Sequence, residues 1–299
     1  MKTPVLLLIF NRPDTTRRVV EALRQARPEK LYIAADGPRP DRTGEKELCA
    51  QARAIALNAT GDCRVRKLFR RSNLGCKRAV SSAISWFFTN EPEGIILEDD
   101  CLPGESFFRF CETLLSRYRT DQRIMHISGN NFQQGKPRGS ASYYFSRYSH
   151  VWGWASWRRA WRHYDVRMTS LPEFLRTNQL RSIFPAARVQ RYWREKLRAT
   201  HDGRIDTWDY QWAYAVWSQN GLSVLPNVNL VRNIGYGARA THTSGTDQLV
   251  ASMKSGEIDR IIHPGFVLPD ADADAYTFQH HFQQPLARRI RGTVSRMIP

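Results

Sequence analysis

Residues 1–130 alternate between short apolar runs and amphipathic stretches. Pro4–Phe10 is apolar throughout, too short for a helix, and is stopped by Asn11-Arg12-Pro13-Asp14, which predicts a buried strand. Asp14 is placed to cap a helix whose Val19, Val20 and Leu23 share one face. Lys30–Ala35 reads as a second strand, ended by Asp36-Gly37-Pro38. A helix over Glu45–Leu57 and a strand over Arg64–Phe69 follow. Val80, Ile84, Phe87 and Phe88 then mark an amphipathic helix after the Asn73-Leu74-Gly75 turn. Gly94–Leu97 is a strand that runs into Glu98-Asp99-Asp100. A helix from near Gly104 and a strand over Ile124–Ile127 complete the series.

Such alternation predicts an α/β fold: a Rossmann-like, mostly parallel sheet with helices on both faces. Ligands bind such sheets at the carboxyl ends of the strands. Asn11-Arg12, Asp36-Gly37, the 73–78 loop and the acidic triplet all fall there. The pattern loosens after Gly129, where residues 143–165 are dense in aromatics and arginine. Helices over Ala187–Ala199 and Asp206–Gln219 and a strand over Leu222–Leu225 are expected in this elaborated C-terminal half. No repeat or low-complexity linker divides the chain. The expected organisation is one globular unit, with residues 1–130 as a ligand-binding half, 131–275 as a second half that completes the site, and 276–299 as a basic tail.

Composition narrows the partners. The 299 residues are 41% hydrophobic and 11% aromatic, enough to build a core. A formal net charge of +17 favours anionic ligands: nucleic acid, phosphorylated molecules or an anionic membrane surface. The longest apolar run is far below the ~18 residues of a spanning helix, and no signal-peptide pattern is present. Five cysteines with no CxxC spacing argue against a disulfide framework or a zinc site. The expectation is a cytoplasmic protein, its basic tail suited to peripheral contact with the inner face of the membrane.

Glu98-Asp99-Asp100 is the feature with the clearest chemistry. Three consecutive carboxylates repel one another, and a divalent cation such as Mn²⁺ or Mg²⁺ offsets that repulsion with oxygen ligands. Strand-like alternation would point Glu98 and Asp100 one way and Asp99 the other. Helix capping needs one carboxylate, not three. Arg12, with a forked guanidinium, suits a diphosphate. Asn73, Gly75, Lys77 and Arg78 lie near a helix N-terminus that favours anions. No GxGxxG or GxxxxGK[ST] pattern occurs, so dinucleotide and nucleoside-triphosphatase readings lose support.

The segment GIILEDDCLPGESFF at Gly94–Phe108 resembles the strand, Glu-Asp-Asp motif and helix of the N-acetylglucosaminyltransferase I family and related bacterial transferases. IFNRPDTTRR, AADG, TWDYQW and PNVNLVRNIGYGARATHTSG extend the likeness in the same order. Much of 121–205 has no counterpart. The resemblance implies a GT-A fold and a metal-dependent, inverting glycosyltransferase that uses a nucleotide-diphosphate sugar, UDP favoured, with a glycan or lipid-linked glycan acceptor. Bacterial surface polysaccharide or lipopolysaccharide synthesis is the expected setting. Residue by residue, it implies Asp100 at the metal, Asp99 near the ribose, Glu98 near the transferred sugar, Arg12 on phosphate and Asp36 on the nucleobase. Asn73 and Lys77 are expected near the nucleoside.

Inversion needs a general base at the acceptor hydroxyl. Asp209 matches the family's catalytic Asp. The family has an acidic pair where this chain has Tyr210 second, so Asp206 stands as the alternative. His242 and Thr243 lie in a glycine-rich segment expected to close over the donor, with His242 near metal or phosphate. Two other classes compete. A basic, aromatic nucleic-acid-binding protein leaves the triplet unexplained, so no nucleic acid is expected. A metal-dependent phosphohydrolase or nuclease would need further gathered ligands.

Overall fold

The computed structural model describes residues 1–58, 63–235 and 253–283. Its centre is an eight-stranded sheet, built from β1 (Val5–Ile9), β2 (Lys30–Ala35), β3 (Arg64–Phe69), β4 (Glu93–Glu98), β6 (Ile124–Ser128), β7 (Tyr143–Ser146), β8 (Trp154–Trp157) and β9 (Leu222–Pro226). The order across the sheet is β3-β2-β1-β4-β8-β6-β9-β7. β3, β2, β1 and β4 run parallel, as do β6 and β9, while β8 and β7 oppose their neighbours. The sheet is therefore mostly parallel, as the alternation predicts. A two-stranded ribbon pairs β5 (Cys101–Pro103) with β10 (Val231–Asn233).

Period-two alternation divides the strands between two cores. Val5, Leu7 and Ile9 of β1 join Ile95 and Leu97 of β4 on one face. There they meet α1 (Pro13–Ala26), α2 (Glu45–Leu57) and α4 (Glu105–Arg117). Leu6 and Leu8 join Ile96 on the other face, against α3 (Gly75–Asn90), α8 (Ala187–His201) and α9 (Asp209–Ser218). Because both faces are covered, β1 and β4 are apolar at nearly every position. β3 is the edge strand, and its Arg64, Arg66 and Lys67 keep that edge from pairing further.

The first half follows its sequence pattern closely, with β2, α2 and β3 at the expected bounds. Asp14 is a correction. Pro13 opens α1 and Arg12 takes the cap position, so Asp14 sits in the first turn and favours the helix dipole instead. α9 begins at Asp209, not Asp206. The strands β7 and β8, and the short helices α5 (Arg158–Trp161), α6 (Leu171–Arg176) and α7 (Leu180–Ile183), fill the stretch that had no readable pattern. The expected basic tail starts inside packed structure. α10 (Ala271–Thr277) continues into a π-helical turn over Phe278–Phe282, and Phe278 is buried against the second core. Residues 284–299 lie outside the described residues.

Candidate active site

β1 is flanked by β2 on one side and β4 on the other, and the crossover direction reverses between β1 and β4. That reversal opens a crevice at the carboxyl ends of the strands. Here it is a cavity of about 560 Å³, lined by residues following β1 to β4, by Trp152, and by Asp206–Asp209.

The acidic triplet forms its floor. β4 ends at Glu98, so Asp99 and Asp100 belong to a turn and the expected alternation of direction does not hold. All three carboxylate residues line the same cavity. Asp99 accepts a hydrogen bond from the Phe10 backbone at 2.9 Å, which fastens the end of β1 to the end of β4. Arg12 pairs with Asp100 and lies 3.9 Å from Asp99. Burial works against the Arg12 charge, but Asp100, Asp99 and Glu98 more than compensate, and its pKa is raised.

One guanidinium does not balance this much negative charge. Burial, then the charges of Asp100, Asp99 and Asp209, push the Glu98 carboxyl up to about 8. Burial and Asp100 push Asp99 up to about 7. Cys76 stands among the same acids, its thiol raised to about 12 by burial and by Glu98, Asp209 and Asp206. It stays protonated and is no nucleophile. The acids are crowded and buried enough to hold protons near neutral pH, protons that a bound cation would displace.

Among the described residues, no group of three His, Cys, Asp or Glu side chains is arranged to hold a metal ion. Hard oxygen donors are present, but a cation here would take most of its ligands from phosphate and water. Gly235 backs directly onto Asp100, and a Cβ at that position would collide with its carboxylate. Asp100 also accepts the Ile234 N–H through its backbone carbonyl at 2.7 Å, so β10 fixes the turn. His242 and Thr243 lie outside the described residues.

Asp36 lines the cavity, but its carboxylate is engaged. Oδ1 accepts from Gly37 N (2.9 Å) and Leu74 N (3.0 Å), and Oδ2 from Leu74 N (3.0 Å) and Gly75 N (3.1 Å). Three backbone N–H donors, with Leu74 N shared by both oxygens, hold this carboxylate, so Asp36 anchors the N-terminus of α3. Asn73 does similar work: it donates to Gly37 O at 2.8 Å and accepts from Gly75 N at 3.1 Å. Gly37 is required because its Cα packs against the backbone of Ser72. Lys77 is not among the residues that line the cavity.

Opposite the triplet stand both candidate bases. Asp209, half-buried at the start of α9, accepts hydrogen bonds from Thr207 Oγ1 and from Tyr210 N at 3.0 Å. Asp206 is exposed and sits beside Gly75. Trp208 and Trp212 are core residues. Trp212 is fully buried and donates to His126 Nδ1 at 3.1 Å, while His126 Nε2 meets the His150 carbonyl at 2.9 Å. Trp154 stacks between them and is likewise buried.

The pattern alone missed several lining residues. Arg39 is among them, held together with Asn11 by the buried Glu45, which binds Arg39 and accepts from Asn11 at 2.8 Å and so braces the loop after β1. Asn233, Trp152 and Arg70 also line the cavity. Asn233 falls inside a segment that carries the resemblance, whereas no motif marks Trp152 or Arg70, which separate turns bring to the same edge.

No protein-family model matches the chain, and no curated protein matches its sequence. Solved structures with a similar fold include a mannosyltransferase, PcManGT from Pyrobaculum calidifontis, in complex with GDP-Man and Mn²⁺. It shares 11% identity, over 73% of this chain and 70% of that one, at a TM-score of 0.39. HddC from Yersinia pseudotuberculosis shares 11% identity over 54% of this chain and 80% of its own, at 0.33. A UDP-glucose pyrophosphorylase complexed with UDP-glucose shares 13% over 49% and 62%, at 0.27. At these values the likeness concerns the arrangement of strands and helices. The mixed, mostly parallel α/β sheet stands on this chain's own topology, and the chemistry must be argued from this chain's own residues.

Proposed function

We propose that this protein is a metal-dependent, inverting glycosyltransferase that moves a sugar from a nucleotide-diphosphate donor, UDP favoured, to a glycan or lipid-linked glycan. One observation carries the reading: an under-compensated cluster of three carboxylates at the sheet's switch point faces a fourth, Asp209, across a single cavity.

In this reading Asp100, with Asp99 beside it, holds Mn²⁺ or Mg²⁺. When bound, the cation neutralises charge developing on the diphosphate leaving group. Arg12 orients the diphosphate with its planar fork. Glu98 lies toward the transferred sugar. Asp209 accepts the proton of the attacking hydroxyl, and its contacts to Thr207 and the Tyr210 N–H keep it oriented. Asp206 is the alternative base. His242 and Thr243 are proposed to approach the metal or diphosphate from the segment that begins beside Asp100. The N-terminal half would hold the donor and the second half the acceptor. Among the described residues no helix is long and apolar enough to cross a membrane. Contact of the basic C-terminal residues with an anionic leaflet, at the inner face of a bacterial membrane, is part of the proposal.

Calorimetric titration of UDP, GDP, dTDP and CMP, with and without Mn²⁺, tests it beside Asp100→Ala. Binding of one nucleotide that needs both metal and Asp100 is expected. Folded protein that binds none of them with metal present would overturn the reading.

A further inference from the structure

A smaller cavity, of about 110 Å³, lies beside the first and shares Val151, Trp152 and Asp209 with it. At ~10–15 Å³ for each water-sized group, it holds about as many heavy atoms as one sugar ring. Its walls are largely aromatic, including Phe132, Tyr148, Trp152 and Trp193. His281, from the π-helical turn, stacks on Phe132 with ring centroids 3.5 Å apart and closes one side.

Several residues of this lining carry buried polar atoms that lack a hydrogen-bond partner among the described residues. Asn130 Nδ2, Ser149 Oγ and His150 Nε2 are buried and have no hydrogen-bond partner among the described residues. Asn130 and His150 are almost wholly buried, at 0% and 5% exposure. A buried polar atom left unpaired costs ~1–3 kcal/mol, and with Trp193 Nε1 four such atoms belong to residues around this one cavity. No Lys or Arg lines the cavity, and Asp209 is its one acidic lining residue among those described. Burial lowers the pKa of both His150 and His281, which leaves their rings neutral. Flat apolar walls, scattered neutral hydrogen-bonding groups and a single carboxylate together select an uncharged, polyhydroxylated ring.

We propose that this second cavity is the acceptor subsite and takes one neutral pyranose ring, with a hydroxyl against Asp209. Its role as acceptor site rests on the transferase reading; its capacity to bind a sugar does not.

The test is saturation-transfer NMR on the full chain. The probes are methyl glycosides of glucose, galactose, mannose and N-acetylglucosamine, run beside UDP with Mn²⁺ on the wild type, Ser149→Ala and Ala213→Leu. Ala213 lines the second cavity and not the first, so leucine there grows into the sugar site alone. At least one glycoside is expected to bind the wild type, about three- to tenfold more weakly to Ser149→Ala, and not to Ala213→Leu. UDP signals should persist in both variants. Should Ala213→Leu fail to fold, Ser149→Ala carries the comparison. Wild type that binds UDP but no glycoside overturns the subsite and leaves the donor reading standing. Glycoside binding that neither variant weakens places the sugar elsewhere and also overturns it. Variant-sensitive glycoside binding without any nucleotide binding overturns the transferase reading and supports the sugar site.

Discussion

Asp36 and the Glu98–Asp100 triplet occupy the same edge of the same sheet, with only β1 between their strands. Asp36 has both oxygens filled by backbone N–H groups of the loop it anchors. The triplet shares Arg12, one backbone donor and the weakly donating Cys101 thiol, and Glu98 and Asp99 have carboxyls raised far above the ordinary range. An acid whose lone pairs the fold itself satisfies is architecture. Acids crowded together without enough compensation are held for something that is still to bind.

The sharpest separation should come from the group that faces the triplet. Asp209→Asn is expected to lower sugar transfer by about 10²–10⁴-fold, measured as product formed, while metal-dependent nucleotide binding stays. Asp206→Asn should cost less than that; a larger loss there would move the base. Next, Asp100→Ala should weaken nucleotide binding with Mn²⁺ by about 10–100-fold, the loss known for disturbed metal sites. Asp36→Ala should reverse the balance of effects. Freed N–H groups at the start of α3 are expected to lower unfolding free energy by ~1–3 kcal/mol in urea. If Asp36→Ala keeps stability and loses only nucleotide affinity, the architectural reading fails.

The smallest effect concerns pH. The folded values of Glu98 and Asp99, about 8 and about 7, exceed their ordinary 4.5 and 3.8. The folded chain therefore keeps protons that the unfolded chain has already released. The stabilisation is full below about pH 4 and is lost as pH rises toward 8. His126 and His281, lowered to about 4 by burial, act in the opposite sense below their ordinary 6.5. Between pH 6.5 and 8, then, the midpoint of denaturation should fall in metal-free protein, and Glu98→Gln should flatten that fall. Saturating Mn²⁺ should flatten it as well. An unchanged slope in the variant would mean the triplet is not under the strain described.

The parts legible in the sequence were those with one governing pattern. β2, α2 and β3 carry a single period and clear stops, and they form at the expected bounds. Glu98–Asp100 stood out because residue type and strand-end position agree, Asp209 because of the resemblance, and all four line one cavity. β8 was not, because Trp154, Ala155, Ser156 and Trp157 are buried on both faces and no polar alternation marks the strand. Asp36 and Asn73 read as ligand contacts because an Asp-Gly turn at a strand end looks the same whether it serves a ligand or the loop. Lys77 was placed by proximity in sequence, and it is in the first turn of α3 beside the lining residues Gly75 and Cys76. Cys76, Asn233 and the walls of the second cavity come from segments that only tertiary packing unites.

The insertion of β8 between β4 and β6 has a temporal consequence. As the chain leaves the ribosome, β1, β2, β3 and β4 are made first and can pair at once. The outer edge of β4 must then wait, apolar and unpaired, until Trp154–Trp157 has emerged. The turn holding Asp99 and Asp100 waits longer still, because β5 finds its partner only at Val231–Asn233. Gly235, whose close approach walls Asp100 in, is made after both, so enclosure of the turn is completed only with the second half of the chain.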